Sequence, residues 1–174
     1  MSRPRDEDSP PFFHGYIDLV PEDDIVPVLE AQVAVVRRAA AAVPPERETH
    51  AYAPGKWTVR EIVGHLGDGE KVLGFRAYCF ARLDTTPLPG FDEDGYVARS
   101  GFGERSLAEL VEDFAAIRTA NLRMFRSLTP DRWAASGVAN GRSISVLALA
   151  YAMAGHVRHH LGVLRKLYGI DTGA

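Results

Sequence analysis

The stretch from Ser145 to Tyr168 constrains this chain more than any other. Leu147, Ala150, Tyr151, Ala154, Val157, Leu161 and Leu164 recur at helical spacing, and Leu149, Met153, His156, His160, Val163 and Leu167 form an adjoining stripe. A helix apolar on two adjoining stripes is deeply buried and needs neighbours on more than one side. It is expected to start near Ser143 or Ser145 and to end at Tyr168, with Gly169 as the left-handed residue that closes it. The rest of the chain must supply its partners.

Three further long helices are legible. The first runs from about Asp23 to Val43, with Asp23 and Asp24 at the positive end of the helix dipole and Pro27 in the first turn. Ile25, Leu29, Val33, Val36 and Ala40 keep helical spacing, and Pro44-Pro45 stops the helix. The second begins at Thr58, whose T-x-x-E pattern with Glu61 is a capping box, and continues to about Leu83. Gly64, Gly67, Gly69 and Gly74 interrupt it, each weakening an isolated helix by about 1 kcal/mol relative to alanine. Such a density points to close approach of a neighbouring helix or a ligand. The third begins at Ser106, capped with Glu109, and ends at Leu128-Thr129-Pro130.

The connection from Asp84 to Arg105 is rich in proline, glycine and acidic residues. A connection of this length in a small domain is functional, disordered or needed to cross a bundle end. Met1 to Pro11 reads as a flexible lead-in, and Phe12, Phe13, Tyr16 and Ile17 are apolar enough to dock on the body. The expected organisation is a lead-in over residues 1–20 and one domain over 21–174. Four long helices and no convincing strand predict an all-α four-helix bundle.

Composition narrows the function. With 46% apolar and 25% charged residues the chain has the usual mix of a soluble domain. A net charge of −3 without a basic footprint argues against nucleic acid. No apolar run approaches the roughly 18 residues of a membrane span, and the first residues lack the apolar core of a signal peptide. A cytoplasmic location is therefore expected. The lone Cys79 excludes an internal disulfide, and in an apolar helix it reads as a small core residue rather than a nucleophile.

The histidines carry the chemistry. His156 and His160, four residues apart, stack on one helix face within about 5–6 Å between Cβ atoms. Their stripe points inward, and two imidazoles buried side by side need a partner, which a shared cation supplies. His156 paired with His159 is a geometric alternative. His65, about two turns into the second helix, can add a third ligand if the second and last helices are antiparallel neighbours. Three imidazoles leave coordination positions open, the pattern of a catalytic site. A satisfied core histidine is the competing reading at each position. His14 and His50 lie in irregular segments and read as surface residues.

Trp57-Thr58-Val59-Arg60-Glu61-Ile62-Val63-Gly64-His65-Leu66 resembles the W-[ST]-x-x-E-[IV]-x-x-H-[LI] signature of the DinB-like superfamily. His156-Val157-Arg158-His159-His160 resembles that family's H-x-x-H-H signature, and Asp68, Glu70, Arg76, Phe114 and Arg118 fall where members often carry D-x-E, Arg and F-x-x-x-R. The resemblance covers roughly Ile25 to Tyr168. It implies an up-down-down-up four-helix bundle in which His65, His156 and His160 hold one divalent metal ion. It also implies a small-molecule substrate and frequent homodimers. Members include S-transferases that use bacillithiol, mycothiol or glutathione, and proteins described only as metal-dependent hydrolases. The sequence departs from the family at Val157, where members often have Asp, and at Val163, where they often have Gln.

Such a ligand set suits zinc, nickel, iron or manganese, and affinity order alone does not choose among them; zinc or nickel is the expectation. It would serve a low-molecular-weight thiol as co-substrate, because coordination stabilises a thiolate. The expected activity is thiol transfer onto a small electrophile, with metal-dependent hydrolysis and non-catalytic metal binding as the alternatives. Glu70 as general base and Arg118 as anchor for an anionic thiol are the candidate catalytic residues. A mutual ion pair is the favoured reading of that pair.

Overall fold

The computed structural model describes residues 3–172. Met1 and Ser2 of the expected lead-in, and Gly173 and Ala174 of the expected domain, lie outside the described residues. Seven α-helices and one hairpin follow in chain order among the described residues: α1 Pro11–Ile17, α2 Ile25–Ala41, α3 Val59–Ala81, α4 Glu93–Arg99, α5 Leu107–Arg126, α6 Pro130–Ala134, β1 Ser136–Ala139, β2 Arg142–Ser145 and α7 Val146–Tyr168.

The ends of the long helices follow from local chemistry. Thr58 Oγ1 accepts from the Glu61 N–H at 3.3 Å while Glu61 accepts from the Thr58 N–H at 2.7 Å, so two orphan donors of α3 are satisfied reciprocally. Ser106 and Glu109 repeat the device at the start of α5. Ser145 caps α7 through the Ala148 N–H at 3.1 Å, and Gly169 closes it at φ 64°.

Helices α2, α3, α5 and α7 form the bundle. Around its axis the neighbours run α2, α5, α3, α7 and back to α2, so α3 lies between α5 and α7. Two apolar clusters fix the directions. One holds Ile25 and Leu29 of α2, Phe80 of α3, Leu122 and Phe125 of α5, and Leu149 and Met153 of α7. The other holds Val36 of α2, Ile62 and Leu66 of α3, Leu110 and Phe114 of α5, and Leu161 and Leu164 of α7. Helices α2 and α7 therefore enter at one end and α3 and α5 at the other, the up-down-down-up order. Almost all of α7 from Val146 to Val157 is buried, as its two apolar stripes require.

Between the two clusters lies a polar layer. Arg118 donates through Nε and Nη2 to both oxygens of Glu70, at 2.8 and 2.6 Å, and through Nη1 to the Leu29 carbonyl and Gln32 Oε1 at 2.9 and 3.0 Å. Gln32 donates in turn to the Ala154 carbonyl at 2.8 Å, and Asn121 donates to the Glu70 carbonyl at 3.1 Å. One network thus ties all four bundle helices together.

The structure adds elements that the hydrophobic periodicity does not announce. Residues 136–145, expected to be turn and helix start, form an antiparallel hairpin pairing Ser136 with Ser145 and Ala139 with Arg142. Its two-residue loop, Asn140-Gly141, has both φ angles positive, at 51° and 70°. This is the geometry that Asn-Gly favours because it matches strand twist. Leu88 of the long connection bonds to the hairpin through the Val138 carbonyl and the Asn140 N–H. The same connection contains α4, whose first turn is capped by Asp92 accepting from the Gly95 N–H at 3.1 Å. Near the N-terminus, α1 packs across α7, where Gly155 lets the Tyr16 carbonyl approach closer than any side chain would permit. Among the described residues no helix is long and apolar enough to cross a membrane.

Candidate metal centre

Helix α3 presents His65 inward and α7 presents His156 and His160. Because α3 and α7 are antiparallel neighbours, the three rings meet inside the bundle. All three are buried, and one ligand nitrogen from each lies within 4.8 Å of the others. Ring centroids are 4.5 to 4.9 Å apart, and Nε2 of His65 lies 2.9 Å from Nε2 of His156. The His156 ring rests on Gly69, where an added Cβ would stand 2.7 Å from its Cε1. A glycine at this turn of α3 is what lets His156 occupy the gap between the helices. His159 points out of the cluster and is exposed, which decides the pairing of His156 in favour of His160.

The electrostatics keep the cluster neutral. Burial pushes His65 down to about 4, with nearby Asp94 opposing the shift. Burial holds His156 and His160 well below the ordinary imidazole range, reinforced by the neighbouring imidazoles and, at His156, by the Arg118 cation. At neutral pH all three rings therefore offer lone pairs.

Those lone pairs lack sufficient protein partners. Nδ1 of His65 and Nδ1 of His160 are buried with no hydrogen-bond partner among the described residues. The close Nε2–Nε2 approach can be bridged by only one proton. Three neutral, desolvated imidazoles aimed at one point are a donor set that fits a divalent cation. Metal-bound histidines usually donate their second N–H to a carboxylate or carbonyl. Val157 is packed in the apolar core and Val163 against it, so neither supplies such an acceptor.

An aromatic wall surrounds the triad. The Trp57 ring packs on His65 with centroids 4.6 Å apart and is stacked on His160 at 6.2 Å. Trp57, which immediately precedes the Thr58 cap of α3, is thereby part of the site. Phe91 from the long connection stacks on His65 at 6.1 Å, and Tyr16 from α1 meets His156 edge-on at 5.7 Å. Residues as far apart in sequence as Tyr16 and Phe91 carry no shared local signal.

His65 and His156 also line a cavity of about 260 Å³. Helix α1, the long connection, the hairpin and Arg76 of α3 form its other walls. Glu70 and Arg118 do not line it; they lie 2% and 0% exposed and are bonded to each other. Cys79 is a buried core residue, and burial pushes its thiol up. His50 is exposed, and His14 faces the carbonyls of Asp6 and Ser9.

No curated protein matches this chain. Among solved structures it resembles YfiT from Bacillus subtilis, described as a probable metal-dependent hydrolase with an unusual four-helix bundle topology. The TM-score is 0.73 at 19% identity, covering 97% of this chain and 94% of that one. It also resembles a mycothiol-dependent maleylpyruvate isomerase, with a TM-score of 0.65 at 14% identity, covering 84% of this chain and 61% of that one. At these identities the likeness is one of fold. The family model of the DinB superfamily matches residues 29–164, a span that contains the α3 and α7 signatures and all three buried histidines. This chain belongs to the DinB superfamily.

Proposed function

We propose that the protein binds one divalent metal ion through His65, His156 and His160 and uses it to transfer a low-molecular-weight thiol onto a small electrophile. One observation carries this reading: three buried, neutral imidazoles converge within 4.8 Å, and two of them open onto a cavity. The similarity to a mycothiol-dependent enzyme supports a thiol as the nucleophile. A divalent ion at this site supplies Lewis acidity that lowers the pKa of a coordinated thiol, or of water, toward neutral pH.

The chain's own residues do the rest. Desolvation keeps the three imidazoles unprotonated and able to bind. Trp57 and Phe91 cover the His65 ring and keep bulk water from it. Tyr16 stands at the cavity beside His156. Burial, and then nearby Glu93, raise its pKa, so its Oη holds a proton available to a developing negative charge. Glu70 and Arg118 act as positioning residues: their ion pair holds α3 against α5 and so sets the height of His65.

The test is conjugation of a model electrophile such as monochlorobimane with glutathione, N-acetylcysteine or cysteine, using protein loaded in turn with zinc, nickel, iron or manganese. We expect metal-dependent conjugation that His156→Ala abolishes. Turnover of an activated ester without added thiol would favour hydrolysis, the activity ascribed to YfiT. Absence of stoichiometric metal, or conjugation no faster than in buffer, overturns the proposal.

A further inference from the structure

Arg76 differs from the other deeply buried arginine. It lies on α3 with 7% of its surface exposed, on the cavity side. Among the described residues its one hydrogen bond runs from Nη2 to the Pro89 carbonyl at 2.9 Å, and no carboxylate comes within ion-pair distance. Arg118, deeper still at 0% exposure, has Glu70, Gln32 and Leu29. A guanidinium stays charged at any physiological pH, and a buried charge without a counter-charge is strongly unfavourable. Burial lowers the Arg76 pKa with no carboxylate opposing it.

A second cation faces the same space. Arg142 on β2 lines the cavity and makes no ion pair among the described residues. Between the two arginines and the histidines the wall is apolar, with Phe13, Leu73, Phe91 and Ile144. Glu93 lines it too, but its influence falls on Tyr16 and it pairs with neither arginine. A carboxylate already on the wall disfavours a dianion such as a phosphate ester and leaves room for a monoanion. The planar fork of arginine fits a carboxylate.

We propose that the cavity beside the histidine triad receives a small organic molecule with an apolar body and one carboxylate, which Arg76 grips from α3 and Arg142 from the hairpin. This deepens the thiol-transfer reading and rests on it for the identity of the ligand as a reactant. The carboxylate belongs either to the thiol or to the electrophile, and the two sources can be separated.

The experiment is calorimetric titration of the metal-loaded full chain with two matched pairs: benzoate against benzamide, and N-acetylcysteine against its amide. In at least one pair the acid is expected to bind about tenfold more tightly than the amide, as for one charge-assisted contact. The pair that shows the preference identifies which reactant carries the carboxylate. Arg76→Met should abolish the preference and Arg142→Gln should reduce it several-fold. The exposed Arg142 keeps the test valid should the α3 variant fail to fold. The preference should persist in protein stripped of metal. No preference in either pair, a preference untouched by both substitutions, or one that disappears with the metal overturns the proposal. Metal content measured in parallel separates this failure from failure of the metal-binding reading, since a chain that takes up no metal on loading yet still prefers the acid sinks only the latter.

Discussion

The Arg118–Glu70 network and the His65–His156–His160 cluster lie side by side across the middle of the bundle, and they handle buried polarity in opposite ways. In the first, a cation and an anion neutralise each other, and further bonds to Gln32, Leu29 and Asn121 use the remaining donors and acceptors. In the second, three like groups face one another with two nitrogens unpartnered. A closed network of this kind specifies how helices fit together. An unsatisfied one is retained at a cost in stability, which a bound ligand can offset.

The largest effect should come from breaking the closed network. Glu70→Ala leaves Arg118 charged at zero exposure, a change expected to cost about 3–5 kcal/mol. In a domain this size that corresponds to a fall in melting temperature of roughly 10 °C or more, read by thermal denaturation.

Acid should separate the clusters next. The folded-state pKa of His65 lies below its unfolded value of 6.5, at about 4, so the unfolded chain binds the proton first as pH falls. The stability of metal-free protein is therefore full above about pH 6.5, declines on acidification and stops declining from this source below about 4. For His65 the loss is on the order of 3 kcal/mol, with His156 and His160 shifting the same way. Denaturant titrations at pH 7.5 and 4.5 measure it. A flat profile would mean that the rings are already charged or solvated in the native state.

Metal should close the difference. A divalent ion at one hundred times its dissociation constant is expected to stabilise the wild type by about 2.7 kcal/mol. The same addition should leave His65→Ala unchanged, and differential scanning calorimetry with and without chelator decides the matter. The smallest effect is the most diagnostic. His160→Leu removes a buried nitrogen that has no partner, so metal-free stability should stay level or rise by about 1 kcal/mol while metal binding is lost. A large loss of stability in this variant would show that the imidazole is structural after all.

Much of the architecture is legible in local stretches of the sequence. The caps at Thr58 and Ser106, the closure at Gly169 and the apolar stripes of α7 depend on residues within a few positions of one another. So does the His156–His160 spacing. The hairpin was equally local, in the Asn140-Gly141 dipeptide, but strands this short leave almost no period to detect. The flanking helical pattern drew that segment into α7.

Relations between distant residues, by contrast, depend on packing. The inward apolar stripe of α7 already favours His160 over His159 as the partner of His156, but it cannot place His65 beside them. The antiparallel packing of α3 on α7 brings His65 to His160 and turns His159 outward. Tyr16, Trp57, Phe91, Arg76 and Arg142 reach one cavity and the histidine cluster beside it from separate elements, and their types and intervals say nothing of that meeting. Helical periodicity encodes which face of an element is buried, because it repeats with the backbone. Which faces end up opposite each other depends on how whole elements pack, and that information is spread over the chain rather than written at any one place in it.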